Sequence, residues 1–343
     1  MEKLVLKNDG FLKTIGMLSG KNGVNSYLVG GTVRDFLLGK KNLDLDIAVE
    51  GDTSSLVKLC AKAFKGRVTA YPEFGTFILK LSNNRHIDFA TARTETYSKP
   101  GALPKVRFSS LREDLHRRDF TVNAMAVSLN GKKAGMLIDY YGGKKDLEKR
   151  TLKVIHKNSF KDDPTRILRL ARFAGRGYKI ERNTLLLALK SAGYVKKVSF
   201  ERLREELLAI LKERNPCPAL RLISEWGIYG YVLNGLKLSR EALNLSRLKT
   251  VEERLACLLK GEDLKKVESV MLALKLRRDM KNSARELLAE RKNIPALSGK
   301  DLKSMGYVPG PQYKRILDDV AGRNFNSRQK ARGFVFDKYP QKR

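Results

Sequence analysis

Cysteine, histidine, long apolar runs and acidic charge are all scarce in this chain. Three cysteines among 343 residues (Cys60, Cys217 and Cys257) stand far apart and form no Cys-x-x-Cys pair. That argues against a disulfide framework or a zinc site and suits a reducing compartment. The three histidines, His86, His116 and His156, are equally scattered, with no His-x-x-x-His pair and no His-Asp dipeptide. Nothing of a histidine/aspartate phosphohydrolase motif is therefore present. No apolar run approaches membrane-spanning length, and Met1-Glu2-Lys3-Leu4-Val5-Leu6-Lys7 carries no signal-peptide core. A cytoplasmic protein without a membrane partner is expected. Acidic residues number 37 against 69 Lys and Arg, a formal net charge of +32. Such a balance points to a polyanionic partner, most simply nucleic acid. A solubility or thermal bias is the plainer alternative.

The length predicts more than one compact unit. Residues 1–150 hold 26 Lys and Arg against 16 Asp and Glu, while residues 151–343 hold 43 against 21. The second part is the better holder of a long anion, and the first the better seat of chemistry. Residues 1–20 read as a helical lead-in. Strand-like runs follow at Tyr27–Val29, Leu45–Val49, Phe77–Leu81 and Ile87–Ala90, with a helix from Ser54 to Phe64. Turns at Gly39, Gly51-Asp52, Pro72 and Asn83-Asn84 separate them. Residues 97–117, with Pro100-Gly101 and Pro104, read as a long polar connection. From Phe160 onward helical periodicity dominates, broken near Asn215-Pro216, Gly235, Gly261, Pro295 and Pro309-Gly310-Pro311. The expected fold class is α+β: a sheet domain over residues 1–150, a helical neck over 151–215 and a helical body and tail over 216–343.

One constellation concentrates the chemistry. Gly30-Gly31 follows the apolar run Tyr27-Leu28-Val29 and precedes a short helical stretch carrying Arg34 and Asp35. Glycine lets backbone N–H groups approach phosphate, and a helix N-terminus favours an anion. Alone, a glycine pair is an ordinary turn, and Arg34 has a surface ion pair with Asp35 as its alternative. Asp44 and Asp46 stand two apart in an apolar strand pattern, so both carboxylates face one side. Burying such charges is costly unless a bound cation offsets it. Two adjacent carboxylates beside a phosphate-tolerant turn suit magnesium and a triphosphate. A solvent-facing edge strand is the alternative. Asp88, in a similar strand, is a candidate acceptor for the proton of an attacking hydroxyl, or else a partner for an arginine.

Two further segments are dense in polar groups. Arg118, Asp119 and Asn123 can read a ribose hydroxyl and clamp phosphates, though a capping segment would use similar residues. Asp162-Asp163-Pro164-Thr165-Arg166 opens a helix, where an Asp before Pro is a usual N-cap. Asp163 and Arg166 stand three apart on one face, an acceptor beside a donor that matches the edge of a base. Arg166, Arg169 and Arg172 continue as a basic stripe, alternatively a salt-bridged helix surface.

Taken together these segments resemble the class II tRNA nucleotidyltransferase and bacterial poly(A) polymerase family. Gly30-Gly31-x-Val33-Arg34-Asp35 with Asp44-x-Asp46 is similar to its catalytic motif A, and Arg118-Asp119-Phe120-Thr121-x-Asn123-Ala124 to its ribose-discriminating motif B. Asp139 through Gly142-Gly143 to Asp146-Leu147 resembles hinge motif C. Asp162-Asp163-x-x-Arg166 with Arg169 and Arg172-Phe173 resembles motif D, and Ser199 to Leu207 resembles motif E, which braces the fold. The match covers residues 27–207; Asp162 departs from the family's usual Glu, and no diagnostic motif lies beyond about residue 215. The resemblance implies a polymerase-β-like head with a mixed sheet, followed by an all-helical neck, body and tail. It implies addition of C and/or A to the tRNA 3′ end from CTP and ATP without a nucleic-acid template, with release of pyrophosphate. Asp44 and Asp46 would hold Mg2+, and Gly30, Gly31 and Arg34 the triphosphate. Arg118, Asp119 and Asn123 would contact the nucleotide sugar, and Asp163, Arg166 and Arg169 would line the base-selecting side. CC-only addition, A-only addition and poly(A) synthesis stay open, as does a non-catalytic RNA-binding role. The full-length loop at residues 91–119, with Pro100-Gly101-Ala102-x-Pro104-x-Val106, favours CCA or A addition.

Overall fold

The structure, a computed structural model, describes residues 10–40, 44–82, 85–239, 241–292, 297–321, 323, 325 and 328–340. The first nine residues of the expected lead-in, the strand neighbour Leu43, the Asn83-Asn84 turn and the break at Pro295 lie outside the described residues. The chain divides into two compact units, Met1–Leu238 and Ser239–Arg343.

The first unit opens with α1 (Gly10–Lys21), β1 (Asn25–Val29), α2 (Gly31–Leu37), β2 (Leu45–Glu50) and α3 (Thr53–Phe64). Strands β3 (Arg67–Tyr71), β4 (Thr76–Lys80), β5 (His86–Thr91), β6 (Arg93–Thr96) and β7 (Lys105–Phe108) follow, then α4 (Leu111–His116), β8 (Ala126–Ser128) and β9 (Leu137–Ile138). Seven strands form one mixed sheet in the order β3-β4-β5-β2-β1-β8-β9. Only β2 and β5 run parallel within it, and every other pair is antiparallel.

The alternation of β2 decides what each face carries. Leu45, Ile47 and Val49 are buried, and they lie opposite Ile87, Phe89 and Thr91 of β5. Phe77 and Leu79 of β4 extend the same face, beneath α1 and α3. Asp46 and Asp88, also directly opposite each other, therefore project from the other face. That face is covered near Val29 and Ala48 by Leu111 and Leu115 of α4. Asp44 lies exposed immediately before β2 rather than within it.

The expected polar connection over residues 97–117 is corrected. Strand β7, paired with β6 just before the segment, and helix α4 occupy about half of it, and residues 97–104 stay a connection without helix or strand. In β7, Lys105, Arg107 and Phe108 are exposed and only Val106 is partly buried, so the segment shows no apolar face. β3, largely exposed at the edge of the large sheet, is hidden from periodicity for the same reason.

The helical part of the unit begins with α5 (Gly143–Glu148) and, past the short strand β10 (Thr151–Leu152), continues with α6 (Ser159–Asp162) and α7 (Thr165–Gly175). Asp139 caps α5 by accepting from the Gly143 and Lys144 N–H groups at 2.8 and 2.9 Å. Gly143 is required there: a Cβ would sit 2.1 Å from the Thr121 carbonyl oxygen. After β11 (Lys179–Ile180), which pairs parallel with β10, come α8 (Arg182–Ser191), α9 (Phe200–Leu211), α10 (Cys217–Glu225) and α11 (Tyr229–Val232). Helix α7 buries Ile167, Leu168, Leu170, Ala171 and Phe173, and α9 and α10 pack against it. Of its arginines at three-residue spacing, Arg166 is buried as well, while Arg169 and Arg172 are partly exposed and reach Glu206 of α9.

The second unit contains α12 (Val251–Leu259), α13 (Leu264–Ala273), α14 (Arg278–Lys292), α15 (Gly299–Ser304), α16 (Pro311–Ala321) and α17 (Arg328–Lys338). Thr250 and Glu253 form a reciprocal capping box at the start of α12. The last three helices share a core of Leu302, Ile316, Val320, Ala331 and Val335. Among the described residues no helix is long and apolar enough to cross a membrane.

Candidate active site

Helix α2 and strand β2 are tied together at the carboxylates. Thr32, in the first turn of α2, donates its hydroxyl to the Asp44 carbonyl oxygen at 2.7 Å and lies 3.2 Å from Asp46 Oδ2. Burial raises the Asp46 pKa; Arg118 opposes the rise, and Asp88 and Asp44 add to it. Burial also raises the pKa of Asp88, opposed by His86 and reinforced by Asp44. Asp88 Oδ1 is buried with no hydrogen-bond partner among the described residues. Asp44, Asp46 and Asp88 thus lie within electrostatic reach of one another, and for Asp46 and Asp88 burial and this repulsion outweigh the nearby positive charge.

That shortage tests the fit of a magnesium ion. The donors are hard carboxylate oxygens, and one of them is orphaned. Among the described residues no group of three or more metal-ligating side chains forms a ready cage. Magnesium keeps waters and takes substrate phosphates, so it needs only one or two protein carboxylates. The residues present fit the ion.

Beside the carboxylates lies a cavity of about 630 Å3. Gly31, Arg34, Asp46, Arg118, Asp119, Asn123, Asp163, Arg166 and Arg169 all line it. Asp44 and Asp88 do not; they stand at the sheet end, within electrostatic reach of Asp46 or of each other. Gly30 supports the wall from behind. Its φ is +68°, and a Cβ would fall 2.2 Å from Arg118 Nη1. Only glycine combines that backbone with that approach.

The polar side chains are chained together. Arg34 pairs with Asp35 at 3.0 Å and donates to Asn123 Oδ1 at 2.5 Å. Arg34 thus holds Asp35 from a buried position rather than at the surface, and it lines the cavity as well. Asn123 Nδ2 donates to Asp119 Oδ1 at 2.9 Å. Asp119 Oδ2 accepts from Arg169 Nε and Nη2 at 2.8 and 2.7 Å. Burial pushes the Asp119 carboxyl up, yet Arg169 and Asn123 outweigh it and hold the pKa at about 2. Arg169 and Arg172 then flank Glu206 of α9 at 3.4 and 3.5 Å. Asp119 is therefore a buried, saturated brace for Arg169 and Asn123. Arg118, by contrast, is held by one carboxylate, Asp114, at 3.0 Å.

Asp163 and Arg166 both reach the cavity but do not pair with each other. Arg166 donates to the Ser159 hydroxyl at 2.8 Å and to the Arg117 carbonyl oxygen. Asp163 Oδ1 accepts from Thr165 N at 3.1 Å, from Thr165 Oγ1 at 2.6 Å and from Arg202 Nη2 at 2.7 Å. The N-cap position of α7 is Pro164 itself, so the expected Asp cap is displaced by one residue. The side chain of Asp163 nevertheless satisfies a first-turn N–H. Asp162 ends α6 with its carboxylate 4.0 Å from His156.

Several lining residues are ones to which the sequence assigned no binding role, Phe173 of the segment resembling motif D among them. Glu95 and Tyr97 come from the β6 hairpin, whose expected character was only that of a connection. Arg202 and Glu206 sit in the segment read as a brace. Phe173 carries the guanidinium groups of Arg34 and Arg176 at 5.1 Å and of Arg172 at 5.8 Å from its ring centroid. An aromatic directly after an arginine in a stripe was the available signal.

A concave, arginine-walled cavity beside under-neutralised carboxylates has the charge pattern that suits a polyphosphate with its cation, set in a fold of the α+β class. Comparison with known proteins narrows the class. Residues 26–153 match the family described as "Poly A polymerase head domain", and residues 177–238 match "Probable RNA and SrmB- binding site of polymerase A". The chain is 30% identical to a Thermotoga maritima CCA-adding enzyme solved with tRNA, with a TM-score of 0.69 over 99% of this chain and 86% of that one. It is 39% identical over 267 residues to the A-adding tRNA nucleotidyltransferase of Geobacter sulfurreducens, covering 77% of this chain and 30% of the relative. It is 44% identical over 223 residues to that of Aquifex aeolicus, covering 64% and 27%. The chain thus spans less than a third of the length of these two relatives. It belongs to the class II tRNA nucleotidyltransferase and bacterial poly(A) polymerase family.

Proposed function

We propose that this chain transfers nucleotidyl units from CTP and ATP to the 3′ end of tRNA, without a nucleic-acid template. The observation that carries the reading is the junction of two surfaces in one cavity: Asp46 on the sheet side, and Arg118, Asp163 and Arg166 on the other. Asp44 and Asp46 would hold Mg2+, which when bound activates the primer hydroxyl and offsets charge on the transferring phosphoryl group. The turn at Gly30-Gly31 and Arg34 would orient the triphosphate, with pyrophosphate leaving toward them. Arg118 and Asn123 would contact the sugar, with Asp119 holding Asn123 in place. Asp88, whose buried Oδ1 lacks a partner, would accept the primer's proton. Asp163 and Arg166 would offer an acceptor and a donor to the edge of C or A. The strong positive charge would hold tRNA phosphates, so affinity falls with salt. A cytoplasmic setting, where tRNA and nucleoside triphosphates coexist, completes the reading.

A second reading restricts the product to the terminal A. It is favoured by the relatives at 39% and 44% identity, both named A-adding enzymes. One experiment addresses both. Purified protein with magnesium receives tRNA transcripts ending before CCA, after C and after CC, with CTP, ATP or both. CC then A from the bare end supports complete CCA addition; a single A on the CC-ending transcript alone supports the restricted reading. Long A ladders, or no incorporation with tRNA still bound, overturn both.

A further inference from the structure

The loop between β6 and β7 rests on the backbone that leads into α9. Gly101 in this loop has φ +79°, and a Cβ there would lie 2.8 Å from the Lys197 carbonyl oxygen and 3.2 Å from Val198 N. Arg202, in the first turn of α9, forks across this junction. Its Nη1 donates to the Gly101 carbonyl oxygen at 3.3 Å, and its Nη2 donates to Asp163 Oδ1 at 2.7 Å. The Arg202 and Asp163 side chains are 25% and 19% exposed, so water competes only partly for this pair.

The consequence falls on one carboxylate oxygen. The contacts from Arg202 and Thr165 all fall on Oδ1. Among the described residues, Oδ2 accepts no hydrogen bond. A carboxylate pinned through one oxygen by a planar guanidinium and a backbone N–H has little freedom about its last torsion. Its second oxygen, on a residue that lines the cavity, is thereby held in place and left to accept. An acceptor facing the 6-position of a purine or the 4-position of a pyrimidine favours adenine and cytosine, which carry an amine there, over guanine and uracil, which carry a carbonyl oxygen.

We propose that Arg202 is a positioning residue for base selection: it fixes the acceptor geometry of Asp163 and ties it to the loop carrying Gly101. The proposal rests on the function put forward above. Arg202 lines the cavity with its guanidinium engaged by Asp163 and the Gly101 carbonyl oxygen, and its effect on selection passes through Asp163. The loop also supplies Tyr97, Leu103 and Pro104 to the cavity wall, so the arginine links the wall's shape to its hydrogen-bonding edge.

The test measures kcat and KM for ATP, CTP, UTP and GTP on the tRNA transcript that the unaltered protein extends. Arg202→Ala, Arg202→Lys, Gly101→Ala and the Arg202→Ala/Gly101→Ala double variant are compared. Arg202→Ala is expected to lower kcat/KM for the preferred nucleotide about tenfold to a hundredfold, the scale of a hydrogen bond to a charged group. UTP and GTP should change far less, so discrimination narrows. Arg202→Lys should recover part of it, since a lysine keeps the charge but cannot fork. Gly101→Ala should narrow discrimination in the same direction, and the double variant should fall short of the product of the two effects. An equal loss across all four nucleotides, or unchanged discrimination in Arg202→Ala and Arg202→Lys with unaltered Tm, overturns the proposal and leaves the proposed function standing. Failure of the unaltered protein to extend any tRNA overturns the function itself, and the inference with it.

Discussion

Two groups of carboxylates a short distance apart have opposite electrostatic fates. On the sheet, burial and mutual repulsion leave Asp46 and Asp88 with raised pKa values, and Asp88 keeps an orphaned oxygen. On the helical side, Asp119 is more deeply buried yet sits at about 2, because Arg169 and Asn123 saturate it. The same side chain is left poised, short of counter-charge, in one place and is a structural brace in the other. What separates them is whether the chain itself supplies the counter-charge.

Removing one member of each group sharpens the contrast. Asp46→Asn should cut nucleotide incorporation about a thousandfold or more while tRNA affinity, read by filter binding, stays nearly intact. Retained incorporation would move Asp46 out of the poised group. Asp119→Ala should instead act on folding. It leaves Arg169, about a third exposed, with Glu206 alone, and loss of a hydrogen bond to a charged group costs about 1.5–3 kcal/mol, measurable by urea unfolding of the full chain. A smaller change in stability than in activity would make Asp119 a ligand rather than a brace. Gly30→Ala tests the seam between the groups. Positive φ and the 2.2 Å approach to Arg118 should cost about 1–2 kcal/mol and displace that guanidinium.

A further effect is expected on acid stability. His156 stacks on His116 with ring centroids 4.9 Å apart, and burial, with Arg166 and His116 nearby, pushes its pKa down to about 4 from 6.5. The unfolded chain takes up that proton near pH 6.5 and the folded chain only near pH 4. Between these values the unfolded state holds more protons, so stability falls as pH falls through the window and is unaffected above it. His156→Gln should flatten that limb of a Tm-against-pH curve. Asp119 acts lower: its contribution is present above pH 3.8 and is lost as pH falls toward 2.

The central strands were legible because they alternate. Leu45, Ile47 and Val49 mark a buried face, and the intervening Asp46 stands out against it. Strands β3 and β7 were not, because mostly exposed side chains leave no period to read. The carboxylates and arginines of the cavity could be listed from the sequence, but their pairings could not. Asp163 and Arg166, three apart on a helix, look like partners; in the fold their partners are Arg202, Thr165, Ser159 and a main-chain carbonyl. Those choices depend on α9 and the β6–β7 hairpin arriving from distant parts of the chain. Arg117 shows the same thing, since it joins Glu95 of β6 to Asp114 of α4.

The eight arginines lining the cavity have a calorimetric consequence. Each of Arg34, Arg117, Arg118, Arg166, Arg169, Arg172, Arg176 and Arg202 is engaged by an acceptor of the chain itself. A free arginine side chain gives up about 2 kcal/mol of rotamer entropy when fixed. Here that loss occurs when the chain folds, before any anion arrives. Nucleotide binding should accordingly show a smaller entropic penalty than the number of guanidinium groups implies, and a heat signal dominated by exchange of hydrogen-bond partners.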